Sequence, residues 1–267
     1  MEGDLDHEIE SEAGHRAGEF QMLTLAIDTA TGSGSVSLLE QDRIIGARYF
    51  NPPKLEHSGR LFVEVDDLLR STGRQADALD GIAVSVGPGS YTGLRIGLSA
   101  AKGLCLASGA ALVTVPTLDA IAAGLPYSAD TVCTIVGSRS GEVCWALYET
   151  ADGHPKVVSP SRIDPVPEVL PKLPPRTPVI LCGEGAFAFV DLVRDFPHCR
   201  CAPDPVGKPL ACYVGYLGHA KLKAGDSVDL DSAEPDYLRT PNYETAVQQR
   251  ARKASAAAGG DADHARR

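Results

Sequence analysis

The sequence predicts a two-domain α/β fold in which mixed sheets are flanked by helices, and three observations carry that prediction. Apolar runs of strand length alternate with segments of helical period along the 267 residues. The order strand-strand-strand-helix-strand-helix occurs twice, which reads as an internal duplication of element order. A hydrophobic content of 43% at this length can bury one large core or two modest ones.

In the first half, residues 23–28, 35–40 and 43–50 read as strands joined by Gly-rich or polar turns. A helix over 58–72, a strand over 81–86, a helix over 92–108, a short strand over 112–115 and a helix over 117–124 follow. The second half opens with strands over 131–136 and 142–149 around Ser138-Arg139-Ser140-Gly141 and a third strand over 156–163. Pro167 and Pro171 interrupt a weak helix over 166–173. A strand over 178–182, a helix over 186–195 and a final helix over 207–224 complete the order. The expected organisation is an acidic, disordered extension over 1–21, a first domain over 22–127 and a smaller second domain over 128–206. A C-terminal helix and return segment over 207–245 and a disordered tail over 246–267 follow. Met22 stands directly before the first strand, so residues 1–21 read as a dispensable extension.

Charge and cysteine usage narrow the function classes. The formal net charge is −10, with seven acids against one arginine in residues 1–21 and five bases against two acids in residues 246–267. The body between them carries no clustered Lys and Arg, so RNA contact is expected only through a partner. Seven scattered cysteines without a C-x-x-C pair read as a reduced, cytosolic chain, and Cys199-Arg200-Cys201 lacks the companions of a zinc site. No apolar run approaches the roughly 20 residues a membrane helix needs, and no signal-peptide layout opens the chain.

The densest motif is Gly87-Pro88-Gly89-Ser90-Tyr91-Thr92-Gly93-Leu94-Arg95-Ile96-Gly97, a strand-turn-helix junction. Its glycines suit positive φ or close backbone approach, and Ser90 or Thr92 suits a helix cap. The spacing misses the dinucleotide-binding and P-loop patterns, and Ser90 lacks the glycines of a nucleophile elbow. Tight packing and a phosphate cradle made of Gly87, Gly89 and Ser90 both remain open here. Asp28 and Thr29, ahead of Gly32 and Gly34, suit either a phosphate-metal group or a hairpin turn. His57 and Ser58 stand at a helix start, with no second histidine at metal-pair spacing. Along the next helix Leu61, Phe62, Val65 and Leu69 form an apolar stripe. The helix from Thr92 places Gly93, Gly97 and Ala101 at four-residue spacing beside Leu94 and Leu98, a pattern that fits close helix contact within the fold or between subunits. No nucleophile-base pair or metal set stands out.

Leu25-Ala26-Ile27-Asp28-Thr29, His57-Ser58, the stretch Val86 to Leu98, Ala101-Lys102-Gly103-Leu104, Thr117-Leu118, Gly141-Glu142-Val143 and Tyr237-Leu238-Arg239 together resemble the TsaB (YeaZ) family of the bacterial tRNA threonylcarbamoyladenosine machinery. The resemblance runs from Met22 to about Arg239. It implies an actin-like ASKHA fold of two ribonuclease-H-like domains. It also implies a non-catalytic scaffold that dimerises with a TsaD-like transferase, the subunit that places the threonylcarbamoyl group on the adenosine beside the anticodon. A TsaE-like ATPase completes the implied set, and tRNA is met only through the complex. The implied partner surface comprises His57, Ser58, Leu61, Phe62, Val65, Leu69, Thr92, Leu94, Arg95, Gly97, Leu98 and Ala101. No cofactor is required by the chain itself, ATP or ADP belonging to the assembled complex, and the free chain is open to homodimerisation. Two departures bear on the ligand cleft expected between the two domains: Ala30 replaces a serine of the family's first turn, and Gly137-Ser138-Arg139-Ser140 replaces most of its second-domain motif. An ATPase or phosphotransferase using Asp28 and the glycine loop is the rival reading, and a peptidase stands last.

Overall fold

The computed structural model describes residues 22–51, 57–138, 141–206 and 211–238, with the side chains of His57 and Ser58 left aside. The expected tails over 1–21 and 246–267, Arg139, Ser140 and residues 207–210 lie outside the described residues. The described residues up to Asp236 form one compact unit, and Tyr237 and Leu238 fall outside it.

Two five-stranded sheets of matching topology form the first unit. β1 (Leu23–Asp28), β2 (Gly34–Glu40) and β3 (Arg43–Phe50) make an antiparallel meander, and β4 (Gly81–Gly87) and β5 (Ala111–Pro116) extend it in parallel on the other side of β1. The order is β3-β2-β1-β4-β5. β6 (Thr131–Gly137), β7 (Glu142–Glu149), β8 (Lys156–Pro165), β9 (Val179–Cys182) and β10 (Cys199–Cys201) repeat it as β10-β9-β6-β7-β8. Here too the second and third strands of the meander run antiparallel and the last two parallel. The duplicated order read from the sequence is therefore a duplicated sheet topology.

Both faces of the first sheet are covered, which explains why β1, β2 and β4 are buried almost throughout. Leu23, Leu25 and Ile27 alternate towards one face, where α1 (His57–Ser71) and α2 (Tyr91–Ser108) supply Leu61, Val65, Leu68, Leu69, Leu98 and Ala101 to the same core. The opposite face is made of small residues, Ala26 and Ala83, and receives α3 (Thr117–Ala123) and α5 (Ala211–Lys223) with Ala120, Ala211 and Val214. Close approach is possible there because α5 carries Gly215 and Gly218. A Cβ on Gly218 would overlap the Cβ of Ala83, and one on Gly215 would overlap Leu39.

α3 also reaches the second half, where its Asp119 accepts a 2.7 Å hydrogen bond from the Tyr148 hydroxyl on β7. The second sheet packs Cys133, Ile135, Trp145, Leu147, Val179 and Leu181 under α4 (Val166–Val169), a 3-10 turn at Leu170–Lys172 and another at Glu184–Phe189.

The predicted helix over 186–195 is not formed. Two 3-10 segments, Glu184–Phe189 and Leu192–Asp195, replace it. Gly183 and Gly185 press the chain so close to Ile135 and Val136 of β6 that added Cβ atoms would strike that strand. The three-residue period of a 3-10 turn then stacks Ala186 and Phe189 over the sheet, where both are buried. β10, three residues long, is an edge strand that the sequence reading does not include. All seven cysteines are free thiols. Burial pushes the thiol of Cys105 up to about 11 and that of Cys182 up to about 12, and raises Cys199 and Cys201 as well.

The contrast between inward and outward glycines gives a stability test. Gly218→Ala should destabilise the chain by about 1–3 kcal/mol through overpacking. Gly103→Ala, at an exposed α2 position with no atom within 4 Å of its added Cβ, should stabilise it by about 0.5–1 kcal/mol. Urea denaturation of the two variants should therefore give midpoints on opposite sides of the parent's.

Candidate functional site

Four segments converge at the C-terminal ends of the parallel strands: the turn after β1, the glycine loop after β4, the first turns of α2, and Glu184 from the second half. β1 and β4 run in register, Ile27 beside Val84, so the next residues along each, Asp28 and Ser85, lie side by side. The Asp28 side chain is 1% exposed. Its Oδ1 accepts hydrogen bonds from the Ser85 hydroxyl at 2.6 Å and from the Ala30 amide at 3.3 Å. Burial pushes its carboxyl up to about 7 against the pull of those two donors, and the nearby charge of Glu184 adds to the rise.

The glycine loop is clasped onto the turn that Asp28 begins. Ser90 donates its amide to the Ala30 carbonyl at 2.6 Å. Added Cβ atoms would overlap the Ala30 carbonyl at Gly89, the Thr29 carbonyl at Gly93 and the Thr29 hydroxyl at Gly97. Thr29 returns the contact by donating its hydroxyl to the Gly93 carbonyl at 2.7 Å. At the strand side, Gly87 has φ +131° and backs onto the Asp236 carbonyl, while the Asp236 amide donates to Val86. Ser90 caps α2 by accepting from the Gly93 amide at 3.2 Å. The amides of Ser90, Gly93 and Leu94 are thus all used inside the chain. Gly87, Gly89 and Ser90, expected as alternatives of cradle and packing, serve packing here.

The stripe of small residues on α2 is accounted for in the same way. Gly93 and Gly97 face the chain's own Thr29, and Ala101 is fully buried in the first core. Leu61, Val65, Leu69, Leu94 and Leu98 are likewise buried, at 7% exposure or less. The expected partner surface is corrected at seven positions, Leu61, Val65, Leu69, Leu94, Gly97, Leu98 and Ala101: the helical period turns them inward, so in this chain they are buried and offer no open face. Phe62, Thr92 and Arg95 remain exposed. His57 begins α1, but its side chain and that of Ser58 lie outside the described residues.

What the helices present outward is different from the predicted stripe. α1 and α2 cover the same face of the first sheet, so their outer edges look away from it together. Phe62 is 51% exposed, Val63 48% and Leu106 76%. Charged groups border them: Arg60 pairs with Glu64 at 2.5 Å, Arg70 with Asp66 at 3.0 Å, and the Arg95 guanidinium lies 4.2 Å from the centre of the Tyr91 ring. Val63 and Leu106 were missed because they break the apolar stripe. Large apolar side chains at off-stripe positions were the signal available.

Glu184 was also missed. Its Oε2 accepts the Gly32 amide at 3.4 Å, joining the second half of the chain to the turn after β1. Among the described residues, no group of three or more His, Cys, Asp or Glu gathers as a metal site, and no helix is long and apolar enough to cross a membrane.

Two sheets of identical strand order, flanked by helices and with Glu184 of the second half reaching the turn after β1, define a protein of the actin-like ASKHA class built from two ribonuclease-H-like halves. Comparisons with known proteins narrow the class. Residues 53–197 match the family described as TsaD, tRNA N6-adenosine threonylcarbamoyltransferase. The tRNA threonylcarbamoyladenosine biosynthesis protein TsaB of Escherichia coli (strain K12) is 31% identical over 229 residues, 82% of this chain and 95% of that protein. TsaB of Bacillus subtilis (strain 168) is 29% identical over 226 residues, 84% of this chain and 96% of that protein. The solved structure of YeaZ from Pseudomonas aeruginosa superposes with a TM-score of 0.69 at 27% identity, covering 81% of this chain and all of that one. The chain belongs to the TsaB (YeaZ) family.

The buried carboxyl of Asp28 makes a pH prediction. Its proton is held up to about 7 in the folded chain and only up to 3.8 at its ordinary value. Between those limits the folded state binds the extra proton, so this group's cost to stability grows as pH rises from about 4 to about 7 and is then constant. D28N keeps an acceptor for Ser85 and Ala30 without the charge. Its melting temperature should exceed the parent's at pH 8, with the gap narrowing towards pH 4, at about 2–4 °C for each kcal/mol. Equal gaps at both pH values would mean that Asp28 titrates normally.

Proposed function

We propose that this chain acts in tRNA threonylcarbamoyladenosine biosynthesis as a non-catalytic scaffold that binds a TsaD-like transferase through the outer faces of α1 and α2. The observation that carries the reading is the exposure of Phe62 and Val63 on α1 and of Leu106 on α2, two helices whose inner faces are already filled. Solvent-facing aromatic and aliphatic side chains beside arginines are the composition that protein interfaces favour at their centres. Membership of the TsaB family supplies the pathway, since two relatives of near full-length coverage carry that biosynthetic name.

The buried chemistry supports the same reading. Asp28, the residue a phosphotransferase would use, is enclosed, and its Oδ1 is held by Ser85 and Ala30. The glycine loop spends its amides on the chain itself. In this proposal the chain needs no cofactor of its own, the TsaE-like ATPase joins through the complex, and tRNA is contacted by the partner. The acidic chain, at a formal −10, is a poor match for a phosphate backbone.

Reconstitution tests the function. The purified chain, a TsaD-like transferase, a TsaE-like ATPase, a source of threonylcarbamoyl adenylate and tRNA should yield modified adenosine, and omitting the chain should abolish the product. Equal product without it would refute the role. The surface has a separate test. Phe62→Asp and Leu106→Asp should keep the parent's circular dichroism and weaken transferase binding by about thirtyfold, the effect of losing about 2 kcal/mol at an interface anchor. Leu61→Asp, which buries an unpaired charge in the first core, should fail to fold instead.

A further inference from the structure

We infer that Glu184 is a latch between the two halves of the chain, a carboxylate carried by the second half that closes the cleft by engaging the turn after β1. Three placements support it. Glu184 follows Gly183, whose φ of +101° and contact with the Ile135 carbonyl fix the backbone against β6, so the side chain leaves from a rigid base. Gly185, on its other side, is pinned against Ile135 and Val136 in the same way. From that base the carboxylate spans the cleft: Oε2 accepts the Gly32 amide at 3.4 Å, while Oε1 lies 3.9 Å from where a Cβ of Gly137 would stand, at the end of β6.

The chemistry of the turn explains why a carboxylate fits there. Residues 29–34 are rich in hydroxyls and glycine, and the Gly32 amide points across the cleft as a donor. An anion fixed on the facing wall completes that donor without needing one from solution. The arrangement brings a second acid close to buried Asp28, which is tolerable because Asp28 is held near neutrality by its own enclosure. The latch thus adds to the α3 contact, where Asp119 accepts from Tyr148, a second link between the halves through a side chain that belongs to neither the glycine loop nor the helices. It stands independently of the scaffold reading, because it concerns the chain alone.

Hydrogen-deuterium exchange of the full chain tests the latch. In Glu184→Ala, which removes the acceptor, exchange of the segment 31–34 should accelerate about tenfold, the effect of losing about 1.4 kcal/mol, and in Glu184→Gln, which keeps an acceptor without the charge, it should accelerate by a smaller factor. Strand β1 at 23–28 should be unchanged in both. If Glu184→Ala fails to fold, Glu184→Gln alone decides. Unchanged exchange at 31–34 would overturn the proposal, as would an equal acceleration across β1, which would report general loosening. Inorganic pyrophosphate added to the parent chain should leave 31–34 unaffected, and slowing by pyrophosphate would show the turn open to outside anions and overturn it too.

Discussion

The fit of α2 onto the turn after β1 is the constraint on which the rest of this structure depends. Gly89, Gly93 and Gly97 come so close to Thr29 and Ala30 that no side chain could stand between them, and the Thr29 hydroxyl fastens the contact to the Gly93 carbonyl. That contact fixes which side of α2 is inside. With the glycines inward, Leu98 and Ala101 complete the core beside α1, Leu94 is buried near Gly87, and Thr92, Arg95, Ser99 and Leu106 are left outside. The outward face is therefore a consequence of the inward one. The distinctive loop of this chain is used for internal packing, which leaves its amides committed within the chain and the outer helix faces exposed, the two features on which the proposed scaffold role rests.

The same economy of small residues recurs on the other face of the sheet, where Gly215 and Gly218 let α5 lie against Ala26 and Ala83. It also brings a histidine into the interior. His219 is 1% exposed, bonds its Nδ1 to the Thr24 hydroxyl at 2.8 Å, and has its basicity lowered chiefly by burial. Charging it would put a cation under the sheet, so its contribution to stability is full above its ordinary value of 6.5 and falls as pH drops below it. This trend opposes that of Asp28, whose cost falls as pH drops, and the two groups partly offset one another in mildly acidic solution.

Most of the fold was legible in the sequence because its elements obey simple periods. β1, β3 and β7 begin and end where alternation and turn residues place them, and α2 begins beside its capping serine. What could not be read has physical causes. The segment 186–195 has helical spacing of Ala186, Phe189, Val190 and Val193, yet its flanking glycines bind it to β6 and short 3-10 turns satisfy the same burial. β10 is three residues long, below the length at which alternation is informative. At the site, the stripe was legible but the direction it faces was not. A stripe of Gly, Ala and Leu has the same pattern whether it meets its own sheet or another protein, and only the position of Thr29 in space separates the two. Glu184 gave no periodic signal, since its role arises from a partner 152 residues away.

Site-specific photo-crosslinking is the most direct measurement of the central claim, that the outer edges of α1 and α2 hold a TsaD-like transferase. A photoreactive residue placed at Phe62 or Leu106 should trap the transferase in a mixture of the two proteins, while the same group at Val157 on the distant exposed strand β8 or at Tyr127 should not. Trapping at Val157 or Tyr127, with none at Phe62 and Leu106, would contradict the account.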